Sequence, residues 1–523
     1  MRAAASAAGR LPVAVGVSAL LLAASHLAGP LGLLACVALV PWLLAARGLA
    51  PAPAAASGLA LGTGFGLVAG GWVPRALQHF GSPVLEAWLG LGVVALLVTG
   101  VPYALVGAVF GATRGRSTAV RAGAVGIALL LIDGARSRGL GGEPWLLLGH
   151  TQAGVPGLAQ LAVLGGVPLV SVLLGALNAA LAEAVARSRA ARRPAGTHPA
   201  AALLGAAGAA GLLGLPLAQA FHPEPAGDAP RGARLLLVQP AIPVEERWVP
   251  EVQRTNLAIQ VRLTQRELAR GAVAPDLILW PETALTSPLD QDAELRAAVG
   301  RHAASLPAPL VLGVVRAAAS GRANRYTNAA VWLGPQGEIA AAVGKTRGVP
   351  IVEAGGGFPG AGLIRRLLGQ PAAARRLEEA PAQAPLRAAG TSLAVVFCYE
   401  VVYPGLVARR REPDTAAIVN LANDSWFPGE TVSRQQIAFG SFRAIEQRLP
   451  LLRVAQGGVS ALVDRFGRVR ETLPFGAEGS LRAVVAPGAP PGAGERLAFA
   501  GLLAAGALVG LCADRTIRRR WWP

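Results

Sequence analysis

Apolar runs separated by short polar loops fill the first 221 residues, and one more lies near the C-terminus. A helix needs about 20 mostly apolar residues to cross a bilayer. Runs of that order lie near 12–25, 28–46, 56–75, 85–110, 120–134, 160–186, 199–219 and 494–513, which predicts eight spans, the first and fifth short or weakly bounded. Between the seventh and eighth the pattern changes to short β-type runs bounded by turn residues. These are Ala233–Gln239, Asp276–Trp280, Leu310–Val315, Thr327–Gly334, Thr391–Glu400, Ala416–Asp424, Leu449–Gln456, Ser460–Arg470 and Ser480–Pro487. Helical stretches such as Thr255–Arg270 and Ser433–Arg448 lie among them, so the segment reads as an α/β domain with a largely buried sheet. The expected organisation is a membrane domain of about seven helices at 1–221, an extramembrane domain at 222–492, and a final span with a basic tail at 493–523.

Composition agrees, and charge adds an orientation. The chain is 53% hydrophobic, too apolar for an ordinary soluble protein, and carries a net charge of +18. A basic excess can signal nucleic acid, but here the arginines flank apolar runs without interleaved aromatics, which excludes that reading. With the N-terminus inside, the cytoplasmic ends hold Arg2 and Arg10, Arg47, then Arg114, Arg116 and Arg121. Arg187, Arg189, Arg192 and Arg193 follow, and the tail holds Arg515, Arg518, Arg519 and Arg520. The opposite short loops hold only Arg75, Arg136 and Arg138. Positive loops stay inside, so the long polar segment is expected on the outer face. Gly/Ala richness fits close helix packing in lipid. The phosphate-loop lookalike Gly62–Gly66 sits inside a span with no strand before it. Nearly uncharged spans, with no ion pair or relay evident, speak against a transporter.

Chemistry centres on one cysteine. Cys36 and Cys512 lie in apolar runs and read as small packing residues, and the three cysteines offer neither a disulfide framework nor metal-ligand spacing. Cys398 closes the run "LAVVF" in the polar domain. A lone Cys reads first as a buried structural residue. Two placements reverse that reading: Glu282 follows the apolar strand in "LILWPET", and Lys345 follows a strand and turn in "GKTRGVPIVE". Alone, Glu282 reads equally as a helix-start cap and Lys345 as a solvated loop charge. The histidines, His222 and His302 included, lack a strand-end setting, so a nucleophilic Cys398 would need a carboxylate as base. A carboxylate can take the thiol proton, and a neighbouring ammonium can stabilise first thiolate and then oxyanion.

"WPET" with Glu282, "GKTRGVPIVE" with Lys345 and "VVFCYEVVYP" with Cys398 resemble the Glu-Lys-Cys signatures of the nitrilase superfamily, and within it the bacterial apolipoprotein N-acyltransferases. "NLANDSWF" (Asn420–Phe427), "FRAIEQRLPLLR" (Phe442–Arg453) and "DRFGRV" (Asp464–Val469) extend the resemblance, which covers nearly the whole chain. It implies a polytopic α-helical membrane region plus an extramembrane four-layer αββα nitrilase-like sandwich. The implied enzyme moves a fatty acyl chain from a glycerophospholipid, phosphatidylethanolamine in most members, through a cysteine thioester to the N-terminal amine of a diacylglyceryl-cysteine apolipoprotein. The catalytic glutamate, lysine and cysteine fall on Glu282, Lys345 and Cys398. Glu353, eight residues beyond the lysine, matches a glutamate that supports the catalytic pair or the oxyanion site, and Tyr399 and Glu400 match the residues after the nucleophile. Trp248 matches an aromatic on a mobile lid near the lipid entrance. No metal or cofactor is expected, nor any nucleic-acid partner. The resemblance implies a multi-pass monomer of the bacterial cytoplasmic (inner) membrane, its catalytic domain periplasmic. Departures fall at Gln239-Pro240-Ala241, Gln456-Gly457-Gly458 and Ala422–Pro428; they spare the triad and bear on lipid or lipoprotein fit. The rival readings are a membrane-tethered amidase or nitrilase and a catalytically silent lipoprotein-binding scaffold.

Overall fold

A computed structural model of the chain describes all residues except 1, 28, 80–81, 139–143, 191–197, 224–231, 244–251, 271–272, 319, 321–324, 335, 350–375, 382 and 522–523. It divides into two compact units: Met1–Pro74 with Trp88–Glu224 and Pro491–Pro523, and Arg75–Ala87 with Pro225–Pro490.

The first unit is helical. Among the described residues seven helical segments are long and apolar enough to cross a membrane: Gly29–Ala46, Pro51–Ala69, Val84–Ala112, Thr118–Ser137, Ala162–Ser188, Pro199–Phe221 and Ala493–Cys512. The first run forms the helix Arg2–Ser25, of which the apolar part Arg10–Ser25 is shorter than those seven segments. Two segments are irregular. Val84–Ala112 passes through a π turn at Leu96–Gly100, and the Ala162–Ala190 helix kinks at Gly165–Gly166, just before Pro168. Small residues explain the close packing. A Cβ on Gly62 would stand 2.3 Å from the Thr99 carbonyl oxygen, so the Pro51–Ala69 helix can lie against the π turn only with hydrogen at that position.

The spans are less free of charge than the sequence suggested. Arg121, near the start of the Thr118–Ser137 helix, is buried in an ion pair with Glu183 of the Ala162–Ala190 helix. Arg47 joins the same carboxylate at 3.0 Å. The partners lie 62 and 136 residues apart in the chain, out of reach of any local spacing rule. Cys512 is exposed on its helix and Cys36 half-buried.

The second unit holds two sheets. Its strands are β1 Ala233–Gln239, β2 Leu277–Leu279, β3 Leu310–Ala317, β4 Arg325–Leu333, β5 Ile339–Gly344, β6 Arg376–Leu377 and β7 Leu386–Ala388. They continue as β8 Thr391–Phe397, β9 Thr415–Asn423, β10 Leu451–Gln456, β11 Ala461–Val463, β12 Val469–Thr472 and β13 Gly479–Val485. One sheet runs β13-β1-β2-β3-β4-β5, with β6 beside β4; the other runs β12-β11-β10-β9-β8-β7. Each has a parallel centre (β1-β2-β3 and β8-β9-β10) and antiparallel margins, apart from β6, which pairs with β4 in parallel.

The two-residue period of the strands sorts the core into layers. Leu235, Leu237, Leu277, Leu279 and Val311 pack against Leu393, Val395, Phe397, Val419, Leu421 and Val454 between the sheets. The alternate residues Leu236, Val238, Ile278, Trp280, Leu310 and Leu312 face the helices Gln253–Arg270 and Ala293–Ser305. The helix Thr431–Gln447 covers the second sheet at β10 and β11. The result is the expected four-layer αββα sandwich. Differences are local: the run Ser460–Arg470 is a hairpin turning between β11 and β12, and the run Thr391–Glu400 stops as a strand at Phe397.

Candidate active site

Strand ends from both sheets meet at one end of the sandwich. β2 leads through Trp280 and Pro281 into Glu282, which is 2% exposed. Two contacts fix this corner from behind. The Trp280 indole N–H donates to Thr264 Oγ1 at 3.0 Å, and the Gly313 amide donates to the Pro281 carbonyl at 3.1 Å. A Cβ on Gly313 would lie 2.6 Å from the Glu282 Cα, so glycine lets β3 approach the carboxylate-bearing turn.

Lys345 follows β5, its backbone amide donating to the Asn328 carbonyl at 2.7 Å and so extending the β4–β5 ladder by one residue. Its ammonium, 4% exposed, donates to Glu282 Oε1 at 2.9 Å, and Asn328 Nδ2 donates to the same oxygen at 3.1 Å. A buried charge of either sign needs such a partner to remain in the interior.

Cys398 stands where β8 breaks into the short 3₁₀ turn Cys398–Val402. It is buried, and its φ of 43° lies in the left-handed region, which costs a non-glycine residue about 1–3 kcal/mol. Asn420 on β9 holds the turn, donating from Nδ2 to the Cys398 carbonyl at 3.1 Å. Thr283, beside Glu282, is a second left-handed residue (φ 46°), and Asn423 at the end of β9 donates to its hydroxyl at 3.1 Å.

Glu400 links the Cys398 turn to the loop after Lys345. Fully buried, its Oε1 accepts from the Thr346 amide at 2.6 Å, the Thr346 hydroxyl at 2.9 Å and the Arg347 amide at 2.9 Å. Its Oε2 accepts from the Phe397 amide at 2.9 Å. Arg410 stands 3.4 Å from that oxygen and also bonds the Gly344 carbonyl on β5 at 3.0 Å and the Val395 carbonyl on β8. Burial pushes the Arg410 guanidinium below its ordinary value, and Glu400 opposes that fall. The carboxylate therefore ties the residues after Lys345 to the turn that bears Cys398. Tyr399 is buried in the same turn, with its ring edge-on to Tyr403 at 5.8 Å.

Glu282, Lys345, Cys398, Tyr399 and Glu400 are thus gathered at one end of the domain. Glu353 and Trp248 lie outside the described residues. Neither histidine of the domain region approaches the thiol by any described bond: His302 stacks on Trp280 with centroids 5.7 Å apart, and His222 pairs with Glu495. Among the described residues no cluster of His, Cys, Asp or Glu could hold a metal ion. Sequence reasoning missed Asn328, Asn420, Arg410, Gln436 and Arg453 as site neighbours. A signal was present for Arg453, a full charge in the middle of the apolar run "LPLLRVAQ", which demands a buried partner.

The comparisons with known proteins follow this geometry. A family model described as the apolipoprotein N-acyltransferase N-terminal domain matches residues 18–180, and one described as carbon-nitrogen hydrolase matches residues 237–487. The apolipoprotein N-acyltransferase of Azotobacter vinelandii is 34% identical over 79% of this chain and 77% of its own length. That of Pseudomonas putida is 32% identical over 89% of this chain and 88% of its own, and that of Geobacter metallireducens 28% identical over 90% and 88%. Among solved structures, an amidase from Nesterenkonia sp. aligns at 19% identity over 50% of this chain and 94% of its own, with a TM-score of 0.37. Relatives above 30% identity matched over most of their length, and two domain models in order along the chain, show that this protein belongs to the apolipoprotein N-acyltransferase family of multi-pass bacterial membrane enzymes.

Proposed function

We propose that this enzyme transfers a fatty acyl chain from a glycerophospholipid, phosphatidylethanolamine in the first instance, to the N-terminal amine of a diacylglyceryl-cysteine apolipoprotein, with Cys398 carrying the chain as a thioester. The observation that carries this reading is the buried Glu282–Lys345 pair at 2.9 Å, set at the same end of the sandwich as the strained Cys398 turn. In the first half-reaction the thiol proton moves to Glu282 as sulfur attacks the ester carbonyl. The tetrahedral oxyanion forms beside the Lys345 ammonium, whose charge is worth most in a buried site. Collapse breaks the ester C–O bond, and Glu282 returns the proton to the departing lysophospholipid alkoxide. In the second half-reaction the lipoprotein amine attacks the thioester, Glu282 takes its proton, and the Cys398 thiolate leaves and is reprotonated.

Both substrates are lipids held in one leaflet, so confinement removes much of the translational entropy cost of the second encounter. In this reading residues 222–492 form the catalytic domain on the periplasmic face of the inner membrane, and the monomer is the working unit. Tyr399 and Glu400 support the nucleophile turn, and Glu353 and Trp248 take the supporting and lid roles their sequence settings suggest.

The test is intact mass of detergent-purified protein after incubation with phosphatidylethanolamine, beside Cys398→Ala. A hydroxylamine-sensitive gain of one acyl group, absent from the variant, is expected. No adduct in folded protein, with hydrolysis of small amides instead, would move the site to carbon–nitrogen hydrolysis.

A further inference from the structure

Beside Cys398 lies a buried polar chain that the two-step reaction does not use. Gln436, on the Thr431–Gln447 helix and 2% exposed, directs its Nε2 at the Cys398 sulfur, 3.7 Å away. Its Oε1 accepts from Arg453 Nη1 at 2.9 Å. Arg453, on β10, has no exposed surface. Its guanidinium also donates to Asn420 Oδ1, to the Val459 carbonyl at 3.2 Å, and to Asp424 Oδ2 at 2.5 Å. Asp424 in turn accepts from the Ser433 hydroxyl.

The direction of this chain follows from what each group can do. A guanidinium only donates, so the face of the Gln436 carboxamide turned toward Arg453 must be its oxygen. The opposite end, turned toward sulfur, must then be the NH₂. An N–H aimed at sulfur favours the thiolate over the thiol, since a hydrogen bond to an ionised acceptor is the stronger one. Arg453 adds a second effect: through Asn420, which bonds the Cys398 carbonyl at 3.1 Å, it holds the strained turn itself.

We infer that Gln436 is a thiolate-stabilising donor to Cys398, and that Arg453 is a positioning residue that locks its carboxamide in the donating orientation. The inference rests on Cys398 being the nucleophile. Charged groups on the elements around the thiol are Glu282 and Lys345 beyond β2 and β5, Glu400 and Arg410 beyond β8, Asp424 beyond β9, Arg453 on β10, and Arg434, Arg443 and Glu446 on the covering helix, Arg434 paired with Glu430. None of these is itself replaced in a Gln436 variant, so a change in thiol reactivity reports the carboxamide.

The experiment follows alkylation of Cys398 by iodoacetamide against pH, read by intact mass, in full-length detergent-solubilised protein whose Cys36 and Cys512 are replaced by serine. Gln436→Leu, similar in volume, is expected to move the midpoint of the reactivity profile upward by about one pH unit and slow alkylation at pH 7 roughly tenfold. Gln436→Glu, which keeps the contact to Arg453 but turns a carboxylate oxygen toward sulfur, should move it further in the same direction. A midpoint unmoved in both variants overturns the inference and leaves the acyl-enzyme reading intact. Acyl transfer surviving in Cys398→Ala is the separate failure: it removes the nucleophile, and with it this role for Gln436.

Discussion

At the scale of single residues, the site depends on carboxylates doing different work. Glu282 faces an ammonium and an amide N–H, whereas Glu400 gathers three backbone amides and a hydroxyl from two loops. Replacing Glu400 by Gln removes the charge opposite Arg410 and an acceptor that no neutral amide duplicates. We expect Glu400→Gln to slow acylation of Cys398 by on the order of 100-fold, equivalent to roughly 2.7 kcal/mol of transition-state stabilisation. Single-turnover mass measurements check this, and an unchanged rate would mean that Lys345 is held without Glu400. A second residue-scale prediction concerns acid. Burial holds the His302 imidazolium below its ordinary value of 6.5, so the unfolded chain binds that proton more readily than the folded one. The stability contributed by a neutral His302 is therefore fully present above about pH 6.5 and is lost as pH falls below it. His302 stacks on Trp280, two residues before Glu282, so the loss falls on the corner that bears Glu282. Melting temperatures between pH 7.5 and 5 should fall more steeply in the wild type than in His302→Phe; parallel curves would show that this histidine does not couple to folding.

At the scale of elements, helix contacts in the membrane unit combine hydrogen-only approaches with one buried charge cluster. Arg121 and Glu183 are 2% and 1% exposed, and Arg47 keeps 43% of its side-chain surface. Removing one partner strands the other. We expect Glu183→Ala to cost about 3–5 kcal/mol and lower the folded yield, and the double variant Arg121→Met with Glu183→Leu to recover most of it. Fluorescence-detected gel filtration of the solubilised variants measures both; a double variant no better than the single one would show that the pair does more than compensate its own desolvation. This cluster also marks where sequence reading stops. β1 was legible to the residue, because Leu235, Leu236, Leu237 and Val238 are all buried and a buried strand reads as an unbroken apolar run. Glu282 and Cys398 could be singled out because each follows such a run, and Lys345 because it follows the strand Thr327–Gly334 and a turn. β5 (Ile339–Gly344) is short and rich in alanine, a weak strand former, and β6 has two residues, so neither stands out. The Arg121–Glu183 and Gln436–Cys398 contacts join residues 62 and 38 apart, on different elements, and only tertiary packing creates them.

For the whole molecule the open quantity is which face of the membrane each part meets, and the arginine distribution predicts it. The loops and tail assigned to the inside hold Arg114, Arg116, Arg187, Arg189, Arg192, Arg193 and Arg515 to Arg520, against Arg75, Arg136 and Arg138 in the opposing short loops. Lys and Arg in short loops resist translocation, whereas a long segment crosses largely regardless of its charge. The region from 222 to 492 carries many arginines of its own, but its length exempts it from that count. On that orientation the final helix, Ala493–Cys512, would return the chain to the inside, beside the basic tail. Alkaline phosphatase, which folds only where disulfides form, should be active when fused after Pro487 and inactive when fused after Arg520. Green fluorescent protein should give the reverse pattern. A fluorescent fusion after Pro487 would put the catalytic end of the sandwich in the cytoplasm, away from lipoproteins carried to the outer leaflet, and the acceptor half of the proposed reaction would then lose its substrate.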